Sequence, residues 1–244
     1  MWPVDPGLHG YRAVFAHKHV LTGYRNTIFY TAVGTFINVC VTLMAAYPLT
    51  RSDFPARKFL MMMCTFTMFF GGGLVPTYIL MVNLGFVNTI WAMLIPGALS
   101  VYNMILMRTN IMASIPKELL ESAQIDGCSD ARYFFNILLP LSKPVIAVIT
   151  LFYAVGHWNS YFGAMIYLRN KDLWPLQLVL REILVSSRID LSQIEDADLL
   201  AALIGLENLL KYALIVVSSV PIILVYPFIQ KYFIKGIMIG SLKG

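Results

Sequence analysis

FLMMMCTFTMFFGGGLVPTYILMVNLGFVNTIWAMLIPGALSVYNMILM, residues 59–107, holds no Asp, Glu, Lys or Arg along its whole length. Lys58 precedes the run and Arg108 follows it. A helix needs about 20 apolar residues to cross a hydrocarbon core of about 30 Å, so this run is too long for one crossing. Asn83-Leu84-Gly85-Phe86-Val87-Asn88 supplies a turn in its middle. Two spans are expected, near 59–82 and 88–107.

Three further stretches behave in the same way. Nothing ionisable lies between Arg25 and Arg51, only His157 interrupts 144–168, and 212–230 is again uncharged. They predict spans near 27–49, 144–166 and 211–230. Composition agrees: of 244 residues, 58% are hydrophobic and 13% charged, where a soluble domain carries about 25% charged residues. So few charges cannot cover the surface of a water-soluble globule. Backbone groups in lipid must be bonded within their own segment, and the ten-residue alternating pattern of a membrane barrel is not seen. The expected fold class is therefore all-α, a polytopic membrane helix bundle. It forms a single domain over residues 1–244 with five transmembrane helices.

The net charge of +5 does not indicate nucleic acid, because no Lys/Arg-rich run accompanies it. Basic residues at the cytoplasmic ends of spans raise the charge of membrane proteins in general. Cys40, Cys64 and Cys128 stand apart, with no CxxC or Cys/His spacing, so neither a metal site nor a disulfide framework is expected.

The connections give an orientation. Residues 51–58, the loop 108–143 and the C-terminal tail fall on one side and carry ten of the eighteen basic residues. Residues 1–25, the 83–88 turn and the segment 167–210 fall on the other. The positive-inside rule puts the first group, with the C-terminus, in the cytosol. An outside N-terminus without a signal peptide reads as a loop following an earlier span, so a transmembrane helix ahead of residue 1 is expected.

The loop 108–143 carries the function. It contains IPKELLESAQIDG, residues 115–127, and then FFNILLP, residues 134–140. Ser114 is placed to cap a helix, Pro116 fits its first turn, and Glu118 and Glu121 suit the positive end of its dipole. Leu119 and Ala123 share a face at i, i+4, and Gly127 suits a left-handed stop. A second short helix from about Asp130 leads to Pro140. Two readings follow: a loop helix lying on the headgroups, or a rigid knob that plugs into a partner.

Glu121-Ser122-Ala123, Gly127, Ile137 and Leu139-Pro140 together resemble the "EAA" loop of permeases in ATP-binding-cassette importers. Ser122 stands where that loop usually has Ala. Asn26-Thr27, Ala46-Tyr47-Pro48-Leu49, Pro76-Thr77-Tyr78, Leu84-Gly85 and Trp158-Asn159-Ser160-Tyr161-Phe162 extend the resemblance to the maltose-type carbohydrate permeases, in the branch for oligosaccharides and polysaccharide fragments. Such subunits normally have six spans. The resemblance implies a multi-pass subunit in the plasma or inner membrane of a bacterium, importing a sugar by alternating access. It implies a second homologous permease, two ATPase subunits and an external sugar-binding protein as partners. ATP and Mg would be used by the ATPases and no cofactor bound by this chain. No Gly-rich phosphate loop followed by Lys-Ser/Thr is present. Glu118, Leu119, Glu121, Ser122, Ala123, Asp126 and Gly127 are implied as the coupling helix that seats on the ATPase.

For substrate, His157, Trp158, Asn159 and Tyr161 bring aromatic faces and hydrogen-bonding groups to one end of a span, with Asn103 and Tyr102 as further candidates. Polar groups at membrane depth usually face a bundle interior or cavity. Trp and Tyr also anchor at interfaces, and interhelical hydrogen bonding is a third reading. The Gly71-Gly72-Gly73 triplet reads either as unwinding around a cavity or as close helix packing. Met61-Met62-Met63 reads as lipid-facing filler. Glu195-Asp196-Ala197-Asp198 reads as solvated loop, or by resemblance as a contact for the binding protein. An importer for a non-sugar solute is the nearest rival. A secondary transporter would usually carry ionisable relays or an internal repeat, and a membrane enzyme would need a clustered nucleophile, acid pair or metal set. The spans hold only His157.

Overall fold

The computed structural model describes residues 9–186 and 209–224, and the regular elements among the described residues are all helical. The axis is α2 (Val20–Thr50), preceded by α1 (His9–Ala16). Thirty-one residues at about 1.5 Å each exceed the hydrocarbon thickness. Its packing is inside-out relative to a soluble helix. Asn26, Thr27, Thr35, Asn38 and Thr42 are buried, while Leu21, Phe36 and Met44 are 79%, 71% and 63% exposed. Apolar surface facing outward is stable only against lipid or another protein, and the buried polar groups need partners inside.

Several helices differ from the spans read off the sequence. The 59–82 stretch is two helices, α3 (Arg57–Phe69) and α4 (Leu74–Asn83), bent by 114°. Neither half, at about 20 Å and 15 Å, crosses the hydrocarbon alone. Gly73 has φ +84° and ψ 175°, a backbone region essentially confined to glycine. Among the described residues, a Cβ built on Gly71 or Gly73 would meet nothing within 4 Å, and one on Gly72 only the Pro76 Cβ at 4.0 Å. The triplet therefore unwinds the helix, with no close packing against it among the described residues. The 88–107 stretch is a short α5 (Trp91–Leu94), a break through Pro96 and Gly97, and α6 (Val101–Ser114). The helix runs on past Arg108 because a charge marks where a chain meets water, not where its hydrogen bonding ends. The 144–166 stretch divides at Asn159–Tyr161 into α10 (Lys143–Trp158) and α11 (Phe162–Tyr167). Residues 1–25, read as a loop, include α1 and the first turns of α2. Glu195-Asp196-Ala197-Asp198 and residues 225–230 lie outside the described residues.

Between α6 and α10 the chain forms α7 (Lys117–Ile125), α8 (Asp130–Tyr133), a π-helical turn (Phe134–Leu138) and α9 (Leu139–Leu141). Ser114 is not the cap of α7. It ends α6, and Pro116 occupies the N-cap of α7 with no side-chain hydrogen bond. After α11 come a 3₁₀ turn (Lys171–Leu173), α12 (Leu176–Ser186) and α13 (Leu209–Leu224). Helices α6, α10 and α12 all pack on α2.

Long-range hydrogen bonds gather the connections into two groups. At one end Asn26 Nδ2 donates to the carbonyls of Asp172 (2.7 Å) and Trp174 (3.0 Å), and Tyr30 donates to that of Leu173 (2.9 Å). Asn88, at φ 61°, accepts from the backbone N–H groups of Arg169 (3.0 Å) and Asn170 (2.8 Å). At the other end Arg108 Nε donates to the Leu49 carbonyl (2.8 Å) and Arg51 pairs with Asp130 (2.8 Å). The 83–88 turn thus shares an end with 167–176, and 47–58 shares the other with 108–143.

Candidate functional site

Midway along α2, Asn38 faces the break between α5 and α6. Gly97 there has φ +77°, so the carbonyls of this turn lack regular helical partners. Asn38 Nδ2 donates to the Gly97 carbonyl (3.0 Å) and the Ala98 carbonyl (2.9 Å). With both amide protons committed, the Asn38 Oδ1 is an acceptor only. It lies 2.6 Å from His157 Nε2, so that nitrogen carries the proton and donates. Tyr153 of α10 completes the frame: its hydroxyl accepts from the Ser100 N–H (3.1 Å) and shares a 2.7 Å bond with Thr42. Ser100 caps α6 through its own hydroxyl. A broken helix is thereby held open by side chains from two neighbours, and irregular backbone at membrane depth is tolerated only against protein or a water-filled cavity.

A cavity of about 290 Å³ adjoins this frame, with Asn38, Gly97, Tyr153, His157, Ser160 and Tyr167 in its lining. It offers amide, imidazole and hydroxyl groups beside aromatic and apolar surface. Helix α2 can approach α10 here because residue 34 is glycine: a Cβ there would sit 2.5 Å from the His157 ring.

The sequence candidates separate around this cavity. His157 lines it, half-buried. Trp158 does not; it is buried in a cluster with Val20, Leu176, Val179 and Val217, and its Nε1 donates to the Ser218 carbonyl of α13 (3.1 Å). Asn159 is exposed and turns back onto the Val155 carbonyl (3.0 Å), and Tyr161 is exposed beneath the Arg181 guanidinium. Asn103 is buried in α6, and Tyr102 is 60% exposed. Asn38, Thr42 and Tyr153 were missed. Their signal is a polar spacing on α2, Thr31, Thr35, Asn38 and Thr42, at i, i+4, i+7 and i+11 in an otherwise apolar run.

The loop end is built differently. Helix α7 buries Ala123 against Ile111, Ile115, Tyr133 and Leu138, in the cluster that includes Leu43 and Leu49 of α2 and Ile149 of α10. Its other side is open: Glu118, Glu121, Ser122 and Asp126 are exposed, with Leu119, and Ile125 is 86% exposed. Gly127 has φ +72°. Its N–H bonds to the Gln124 carbonyl (3.0 Å) and the Cys128 N–H to the Ala123 carbonyl (2.9 Å), the paired bonds of a Schellman stop. Arg51 holds the Asp53 carboxyl down to about 2 through their paired hydrogen bonds, and the guanidinium is itself raised by Asp53. Burial pushes the Tyr133 phenol up.

Residues 23–239 match the family described as binding-protein-dependent transport system inner membrane component. The chain belongs to that family. The permease is 42% identical to Protein LplC of Bacillus subtilis (strain 168) over all of its own length and 81% of that protein's. It is 40% identical to the polygalacturonan/rhamnogalacturonan transport system permease protein YtcP of the same organism, over 99% of this chain and 84% of that one. Among solved structures it is similar to a chain of a bacterial ABC transporter involved in the import of the acidic polysaccharide alginate. That likeness has a TM-score of 0.84 at 34% identity and covers 96% of this chain and 82% of that one. It is thus a membrane-embedded permease subunit of an ATP-binding-cassette importer.

Proposed function

We propose that this permease imports saccharides, with the Asn38–His157 cavity as its part of the translocation path. The observation that carries this is the broken helix pinned by Asn38 beside a cavity offering amide, imidazole, hydroxyl and aromatic surfaces. Sugars present hydroxyls and C–H faces that those groups complement. The polygalacturonan/rhamnogalacturonan transport named for one relative and the alginate import named for the similar structure support the same class. Five spans cross the membrane, the 51–58 and 108–143 connections and the C-terminus are cytosolic, and the 167–210 segment is external. A second homologous permease completes the path and two ATPase subunits hydrolyse ATP with Mg. An external sugar-binding protein delivers the load, and this chain binds neither nucleotide nor metal. Helix α7, with Glu118, Leu119, Glu121, Ser122, Ala123, Asp126 and Gly127, is the coupling element. Its exposed Ile125 adds apolar surface for the ATPase.

The test is ATP hydrolysis by the complete complex in liposomes, with binding protein loaded by uronic-acid oligosaccharides, neutral oligosaccharides or peptides. Saccharide-loaded protein is expected to stimulate hydrolysis at least about tenfold. Stimulation by peptide alone would assign a non-sugar importer. Orientation has its own measurement, in a background lacking Cys40, Cys64 and Cys128. An impermeant thiol reagent added outside should label Asp172→Cys and not Asp126→Cys; the reverse pattern would overturn the topology and the coupling role together.

A further inference from the structure

Arg51 is the first residue beyond α2 and serves as its C-cap. Its side chain is only 11% exposed, yet the Asp53 and Asp130 carboxylates it pairs with are mostly exposed. Nε and Nη2 hold the two oxygens of Asp53 at 2.9 and 2.8 Å, and Nη1 reaches Asp130 Oδ1 at 2.8 Å and the Tyr47 hydroxyl at 3.3 Å. The planar guanidinium fork satisfies one carboxylate in bidentate fashion and leaves an edge for another. Asp53 is two residues away and belongs to the same turn. Asp130 is 79 residues away and opens α8, three residues after Gly127 stops α7.

We infer that the Arg51–Asp130 pair is a positioning link that transmits the displacement of α7 to the first long membrane helix. The path has no slack segment. Gly127 closes α7 by two backbone bonds, Ser129 caps α8 by accepting from the Arg132 N–H (3.3 Å), and Asp130 follows directly. Tyr47, one turn before Arg51, stacks obliquely with Phe134 at 5.2 Å, giving a second contact between the end of α2 and the turn that directly follows α8. A cavity of about 210 Å³ lies beside the link, lined among others by Arg51 and Asp53 and by Lys117, Glu121 and Gln124 of α7. Packing between α7 and the end of α2 is therefore incomplete there, and the charged pair ties the end of α2 to the start of α8. α2 in turn carries Asn38, so motion delivered at Arg51 reaches the cavity frame along one continuous helix.

The inference rests on α7 being the coupling element, and the experiment separates the two. Complexes with Asp130→Asn, Asp53→Asn and Asp130→Glu are compared in liposomes for subunit stoichiometry, ATP hydrolysis stimulated by loaded binding protein, and saccharide moved per ATP. Asp130→Asn should assemble with its ATPases and lose about fivefold in stimulation or in transport per ATP, the scale of one largely exposed charge pair. Asp53→Asn removes the charge and one of the two accepting oxygens from the same arginine but no bond between elements, and should stay near wild type. Asp130→Glu, keeping the charge, should recover at least half of the loss. A merely structural role for Arg51 predicts that Asp53→Asn does as much harm as Asp130→Asn, and that result overturns the link. So does wild-type coupling in Asp130→Asn. If Asp130→Asn fails to assemble, Asp130→Ser decides: lost coupling in an assembled complex supports the link and wild-type coupling removes it. If Glu121→Lys also couples normally, it is the coupling role of α7 that fails.

Discussion

Replacing Gly127 by Val is expected to abolish stimulation of ATP hydrolysis by loaded binding protein while the membrane helices stay folded. The residue has φ +72°, where a Cβ costs roughly 1–2 kcal/mol and a β-branched side chain more. Among the described residues a Cβ would meet no neighbour within 4 Å, so the penalty there comes from the backbone and not from a clash. The chain can relieve it only by giving up the two bonds that stop α7, those from Gly127 to Gln124 and from Cys128 to Ala123. Ile125 and Asp126 would then leave their places at the open end of the helix. Burial in this region rests on Ala123, Tyr133 and Leu138, none of which changes. Glu121→Lys, an exposed reversal on the same helix, should lose at least tenfold in stimulation without lowering the melting temperature. The measurement is stimulated ATPase activity of the purified complex in lipid beside its subunit stoichiometry. Wild-type stimulation in both variants would remove α7 from the coupling path.

The sequence discloses the helices where one residue type decides, and hides them where two distant segments must agree. Charge-free runs bounded by Arg25, Arg51, Lys58 and Arg108 disclose the apolar parts of α2 through α6, because charges are excluded from hydrocarbon whatever the tertiary structure. They do not disclose ends or breaks, since helices run on past Arg25 and Arg108. Gly127 was readable as a left-handed stop because helix chemistry is local. Gly71-Gly72-Gly73 was readable as a break, but its two meanings needed neighbours to separate them, and among the described residues only Pro76, at 4.0 Å from a Cβ on Gly72, approaches those glycines. The capping residue at Ser114 was misread because both Ser114 and Pro116 are acceptable starts, and the length of α6 decides between them.

The pairings with the most chemistry were invisible for a different reason. Asn38 with His157 spans 119 residues and Arg51 with Asp130 spans 79. No periodicity within one helix reports a partner on another. Trp158 shows the opposite case: its composition fits a sugar platform, yet its burial beside α13 places it in helix packing. A single residue step along the helix separates His157, which lines the cavity, from Trp158, which braces it.

Asn38 is therefore the residue in the membrane whose replacement should cost most. Asn38→Leu keeps the volume roughly constant but removes both donors to the 97–98 carbonyls and the acceptor for His157. Each buried carbonyl left without a donor costs about 1–3 kcal/mol in a soluble core. Interhelical bonds in membranes average nearer 0.6 kcal/mol. Three such bonds give about 2 kcal/mol on the lower scale, enough to reshape the break but not to unfold a bundle whose Leu43, Met104 and Ile149 packing is untouched. Saccharide uptake should fall at least tenfold with the complex assembled. Asn38→Asp keeps an acceptor for His157 but, ionised, offers no proton to either carbonyl. If pinning of the broken helix is what matters, Asp should be as inactive as Leu. If the His157 contact is what matters, Asp should transport well and His157→Phe should reproduce the defect. Uptake at the wild-type rate in Asn38→Leu would detach the break between α5 and α6 from transport altogether.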